Sequence, residues 1–236
     1  MIPLATFNTE TDFQTDAKHR DPDIHSPLLQ DFHRRLWTKP LPSGEIFALE
    51  PARAGSARVL RYTSADGSSI DLSSDTLANS NRGRLSEFYT AMGDASNTEW
   101  HRVGGSIGGR LLFPRTRVQG RQTINQRRGT HPQIRDRFDL TLEAIRRHYA
   151  DQPSPLSETL SNYRSFFSLF RDFEGYVEFF LLQDLTKDGR INFFLEFSDF
   201  GKDVLPRTLS AYQDYRARQL DFVRARNSRM AMLMVE

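Results

Sequence analysis

Gly104–Tyr149 reads GGSIGGRLLFPRTRVQGRQTINQRRGTHPQIRDRFDLTLEAIRRHY, and its two halves carry different periodicities. Ser106–Phe113 and Arg121–Gln126 read as short strands linked by Pro114–Gly120. Pro114 has no N–H to give a ladder and ends the first strand. Pro132–Tyr149 reads as a helix, because Ile134, Phe138, Leu142, Ile145 and Tyr149 recur at helical spacing while Arg135, Asp139, Glu143, Arg146 and Arg147 fall largely on other faces. Strands that feed a helix with no return to a parallel partner point to α+β and away from a βαβ fold.

Upstream, Ser26-Pro27 opens a helix that runs to Trp37, with Ser26 as N-cap and Pro27 at the first helical position. Glu45–Leu49, Ala57–Thr63 and Ser69–Leu72 read as an antiparallel meander, turned at Gly55-Ser56 and Asp66-Gly67. Gly83–Met92 is a further helix, and Gly93–Glu99 a loop. Downstream, Ser154-Pro155 opens a helix, Asp172–Leu185 reads as a buried one, Ile191–Phe197 as a strand, and Pro206 to about Arg229 as a long final helix. The expected fold is α+β, a small antiparallel sheet packed against several helices with a helical C-terminal half. Residues 1–25 read as a partly ordered lead-in, and residues 26–236 as one integrated domain.

Composition narrows the function classes. The chain of 236 residues has no cysteine, which excludes disulfides, zinc–thiolate sites and cysteine nucleophiles and fits a reducing cytoplasm. No apolar run nears the roughly 18 residues that cross a bilayer, and the N-terminus lacks the pattern of a secretory signal, so no membrane association is expected. Net charge is only +2, yet 28 of the 32 basic residues are arginine. Arginine's planar fork suits phosphate, carboxylate and aromatic partners.

Between Trp100 and Arg135 stand eight arginines and no acidic residue. Within that stretch Arg110, Arg121, Asn125, Arg127, Arg128 and His131 are the candidate ligand-binding residues. On a strand, Arg121, Thr123 and Asn125 share a face. Arg127 and Arg128 then lie beside a helix N-terminus, whose free N–H groups favour an anion. His131, with an ordinary pKa near 6.5, is the candidate acid–base group. The competing reading is a solvated loop whose arginines pair with Asp136, Asp139 and Glu143. Gly104, Gly105, Gly108 and Gly109 lack the Walker ending and read as bulges or close approaches. The six histidines show no metal-ligand spacing, so no metal and no cofactor are expected. On the final helix, Arg216, Arg218, Arg224, Arg226 and Arg229 read as a basic face, either solvated or open to a partner.

Several runs resemble a known family: Ser26-Pro27-Leu28 through Trp37 and Lys39-Pro40-Leu41-Pro42, Gln122–Asn125 with Arg128-Gly129, Asp136–Glu143, Ile145–Tyr149, and Asp172–Leu185. Together they resemble a bacterial family of hypothetical proteins with a domain of unknown function. The resemblance spans nearly the whole chain and implies a boundary, not a chemistry; Ala144 stands where the family pattern has cysteine. Three functions therefore stay open. The first is a binding module for a phosphate-bearing ligand or nucleic acid through an arginine-rich central surface. The second is a nuclease-like enzyme on nucleic acid or nucleotide phosphate, with His131, Asn125 and Arg128 at its centre. The third is a protein–protein interaction domain.

Overall fold

A computed structural model describes residues 7–201 and 204–234. It is α+β: a four-stranded antiparallel sheet and a two-stranded ribbon among many helices, with a long helix at the C-terminal end. The large sheet is a meander in the order β1 (Leu49–Ala54), β2 (Ala57–Thr63), β3 (Ser69–Thr76), β4 (Arg110–Pro114). Two helices, α4 (Ser86–Ala91) and α5 (Gly93–Gly104), are inserted between β3 and β4. For this numbering, the earlier helices are α1 (Phe13–Asp16), α2 (Pro22–His25) and α3 (Pro27–Trp37).

The first expected strand lies further along the chain than its pattern implied. Glu45–Leu49 contributes only a bridge, Pro40 to Ile46, and the ladder starts at Leu49. β1 is an edge strand, so Pro51, paired with Leu60, needs no donor on its open side. Gly93–Glu99 is helical, not a loop. Its polar letters conceal a stripe of Asn97, Trp100, Val103 and Gly104 that α5 buries.

Arg121–Gln126 is not a strand. Thr123 caps a helix, α6 (Ile124–Thr130), through a capping box in which its side chain takes the Gln126 N–H and the Gln126 side chain takes the Thr123 N–H. The helix expected from Pro132 begins at Phe138 instead, as α7 (Phe138–Tyr149). Arg135 and Asp136 sit at φ 50° and 61°, a left-handed pair that no α-helix accommodates.

The C-terminal half divides more finely than expected, into α8 (Ser157–Ser161), α9 (Arg164–Ser168) and α10 (Phe173–Phe179). Leu181, at φ 56°, stops any continuation of α10. The strand expected at Ile191–Phe197 shrinks to β6 (Arg190–Ile191), paired with β5 (Thr186–Lys187). Beyond it Phe194 N donates to the Asp139 carboxylate at 2.9 Å, not to a ladder. α11 (Leu209–Leu233) is capped by Thr208 and buries Tyr212, Tyr215, Phe222, Val223 and Met230.

The expected basic face on α11 does not form. Arg216 and Arg226 are buried, Arg224 pairs with Glu99 at 2.8 Å and Arg229 with Asp184 at 2.7 Å. One hydrophobic cluster runs from Phe13 through the sheet and α7 to Met230. Aromatic rings dominate it around α9 and α10, where Phe166, Phe170, Tyr176, Phe179 and Phe180 meet edge to face or tilted.

Candidate ligand-binding cleft

The last rung of the large sheet pairs Thr76 of β3 with Arg110 of β4. Arg110 is buried, and its Nη1 donates to Asp23 Oδ1 at 2.8 Å. Burial raises the Asp23 carboxyl above its ordinary value, although the Arg110 charge opposes that rise. Arg110 Nε is also buried and has no hydrogen-bond partner.

A cleft of about 560 Å³ opens over this rung. One wall is the segment Glu10–Gln14, which leads into α1; the other is the end of α5, with Trp100, His101, Arg102, Gly104 and Gly105. Gly104 lets that end approach the segment just after β3: a Cβ there would stand 3.3 Å from Ala78 Cβ. Arg102 bridges the two walls, with Nη1 3.2 Å from Glu10 and Nε 2.9 Å from Glu99. Trp100 is buried, and its Nε1 has no partner either. His101 Nε2 meets Tyr89 OH at 2.8 Å; burial first, then Arg216 and Arg82, lower its pKa.

Arg128 lies behind the same rung. It is fully buried, with Nη1 2.8 Å from Asp75 Oδ2 and 3.3 Å from Asp136 Oδ1, and it also donates to Thr76 O at 2.9 Å. Its Nε donates to Thr141 Oγ1 at 3.3 Å. Asn79 Nδ2 donates to Asp136 as well. Thr76 thus stands between two buried guanidinium groups: it hydrogen-bonds Arg128 and is the ladder partner of Arg110. Asp75 is pushed up to about 6, by burial first, with Arg128 opposing and Asp136 and Asp23 adding to it.

The six residues singled out in the sequence therefore separate. Arg110 and Arg128 come together in the interior, at and behind the cleft floor. The other four stay on α6 and its flanks. Arg121 is exposed and pairs with Glu158. Asn125 is half-buried with its Oδ1 unpartnered. Arg127 is half-buried and forms no ion pair among the described residues. His131 is the C-cap of α6, and its Nδ1 accepts from Gln133 N at 3.2 Å. Burial, then Arg127 and Arg135, lowers its pKa. Among the described residues no carboxylate hydrogen-bonds that ring, so it lacks the second partner of an acid–base pair.

Sequence reasoning missed Asp23, Asp75 and Trp100; Asp136 it named only as an arginine's partner in the competing reading, and Arg128 does pair with it. None has a diagnostic spacing to Arg110 or Arg128; Asp23 and Arg110 are 87 residues apart and still pair. The one available signal was charge: a stretch with eight arginines and no acid must find its counter-ions elsewhere if any of it is buried. Among the described residues no group of three or more histidine or acidic side chains could hold a metal ion. Among them, too, no helix is long and apolar enough to cross a membrane.

Comparison with known proteins assigns the chain to a family without supplying a chemistry. Residues 7–230 match the model of a family of unknown function (DUF6994), and the chain belongs to that family. No curated protein and no solved structure matches it.

Proposed function

We propose that this family member binds a small phosphate-bearing ligand in the cleft over the Thr76–Arg110 rung, with Arg110 as the anchoring cation. The observation that carries this reading is the unpartnered Nε of a buried arginine at the cleft floor. A buried N–H without an acceptor costs about 1–3 kcal/mol. A ligand oxygen that takes this hydrogen bond recovers that cost and gains a charge-assisted contact. Trp100 lines the same cleft with a second unpartnered N–H, and its ring and Phe13 offer an apolar wall to the rest of the ligand. The cleft's size suits a metabolite, not a polymer. The absence of cysteine supports a reducing cytoplasm as the compartment.

A nucleic-acid reading draws support from Arg127 on α6 and from Arg117 and Arg135 in the segments before and after it, which form no ion pair among the described residues. It is the weaker reading, because Glu158 neutralises the neighbouring Arg121 and Asp75 and Asp136 neutralise Arg128. A continuous basic track is what a polyanion needs.

The test is calorimetric titration with inorganic phosphate, nucleoside monophosphates and sugar phosphates. Trp100→Phe keeps an aromatic ring and removes the N–H; the pair Asp23→Asn/Arg110→Met removes the anchor and keeps the interior neutral. Both should weaken binding, the second by tenfold or more, while Arg127→Glu leaves it unchanged. Binding that follows Arg127 and ignores Arg110 overturns the reading.

A further inference from the structure

Away from that cleft, Lys39 occupies an unusual place for an amine. It follows the C-cap of α3, and its backbone is fixed on both sides: Lys39 N donates to Trp37 O at 2.9 Å, and Phe47 N donates to Lys39 O at 2.9 Å. The side chain is half-buried. Nζ stands 4.6 Å from the Phe179 ring centroid and 5.2 Å from that of Trp37. Among the described residues it forms no ion pair. It lines a second cleft, of about 380 Å³, whose walls are Pro40, Leu41, Pro42 and Phe179 and whose charged groups are Arg171 and Glu178.

We propose that Lys39 is a nucleophilic amine that condenses with a small aldehyde or ketone held in this cleft, with Glu178 as the acid that expels water. The Lys39 ammonium first gives its proton to Glu178. The freed lone pair of Nζ attacks the carbonyl carbon, and the carbonyl oxygen takes up an N–H proton to give a carbinolamine. Glu178 returns its proton to that hydroxyl, the C–O bond breaks, water leaves, and the nitrogen lone pair forms the C=N bond. The product is a protonated imine and one water; nothing is oxidised or reduced.

Two features favour an imine over an acylated lysine. The positive charge stays on nitrogen, so its attraction to the two ring faces is kept, whereas acylation would discard it. An acid in the same cleft serves the dehydration step, which acylation lacks.

The groups around the amine agree with this. Burial lowers its pKa to about 8; Glu178 partly opposes that, and the buried Arg226, stacked 5.6 Å from the Trp37 ring, adds to it. Arg171, the other charge in the cleft, is held by Asp172 at 2.6 Å. About a fifth of Lys39 is then free amine at pH 7.4, against about a thousandth for an ordinary lysine.

The chain has only four lysines, so the test is clean. The folded protein is incubated with propanal and cyanoborohydride, and adducts at Lys39, Lys18 and Lys187 are followed by peptide mass mapping. The expected result is labelling of Lys39 more than tenfold faster at pH 7.4, with a half-maximal rate near pH 8. Glu178→Gln should move that midpoint down, because it removes a charge that holds the proton, and yet lower the plateau rate. Labelling no faster than at the two exposed lysines overturns the proposal. A Glu178→Gln plateau equal to the parent's overturns the role of Glu178. Neither result bears on phosphate binding in the first cleft.

Discussion

Arg128 Nη1 stands 2.8 Å from Asp75 Oδ2, and this contact ties α6 to the end of β3. The guanidinium is fully buried, and Asp136 shares the same nitrogen at 3.3 Å. Removing it leaves two half-buried carboxylates facing each other with no cation between them. Arg128→Met is therefore expected to cost about 3–5 kcal/mol of unfolding free energy in urea titrations. The triple variant with Asp75→Asn and Asp136→Asn should recover most of that loss. An Arg128→Met protein as stable as its parent would show that the network is solvated and not interior.

A buried histidine and a half-buried aspartate respond to acid in opposite directions. His33 is held neutral: burial first, then Arg226 and Arg110, brings its pKa from 6.5 to about 3. An unfolded chain takes up that proton near 6.5 and the fold resists it, so stability from His33 is complete above about pH 6.5 and is lost as pH falls toward 3. Asp75 has the reverse sign. Its pKa rises from 3.8 to about 6, so the fold binds a proton that the unfolded chain releases, and stability falls as pH rises from about 4 to 6. The two slopes partly cancel in the native protein. Asp75→Asn should make the acid loss between pH 6 and 4 steeper than in the parent, and His33→Gln should make it shallower. Thermal melts across that range read both.

Gly108 is a packing device, as its run of glycines implied. Its N–H donates to Asn227 Oδ1 at 2.7 Å, and Arg226 Nη1 donates to its carbonyl at 2.7 Å. A Cβ would lie 2.5 Å from that Asn227 oxygen and 2.7 Å from Val223 O, so α11 could not stay in place. Gly108→Ala is expected to cost about 1–3 kcal/mol. Gly83→Ala, with nothing within 4 Å, should change stability little. Equal effects from the two would mean that α11 does not press on this turn.

Fold class and the strongest helices were legible because periodicity reports burial. Ile134, Phe138, Leu142 and Ile145 announced an inward stripe, and all are buried. What failed was local chemistry in tension with tertiary packing. The sequence GDASNT looks like a loop until Asn97 and Trp100 find α11, where Arg216 Nη1 donates to Asn97 Oδ1 at 2.6 Å. The Thr123–Gln126 capping box was written in the sequence, and a strand reading passed over it. The ends of the candidate site were not legible at all. Nothing in the residues around Arg110 names Asp23 as its counter-ion, because that pairing comes from how α2 lies against the sheet.

Trp100 makes the cleft observable. The chain has two tryptophans; Trp37 is fully buried, with its Nε1 donating to His33 Nδ1 at 3.0 Å, whereas Trp100 lines the cleft. A phosphate-bearing ligand that reaches Arg110 must pass the Trp100 ring, so binding should change the emission of Trp100 and leave that of Trp37 alone. In Trp37→Phe the whole signal is Trp100's, and the midpoint of its ligand-induced change should match the calorimetric one. It should also weaken with salt only modestly, because a buried ion contact is screened far less than an exposed one. A midpoint that climbs steeply with salt would instead place the ligand on the exposed arginines around α6.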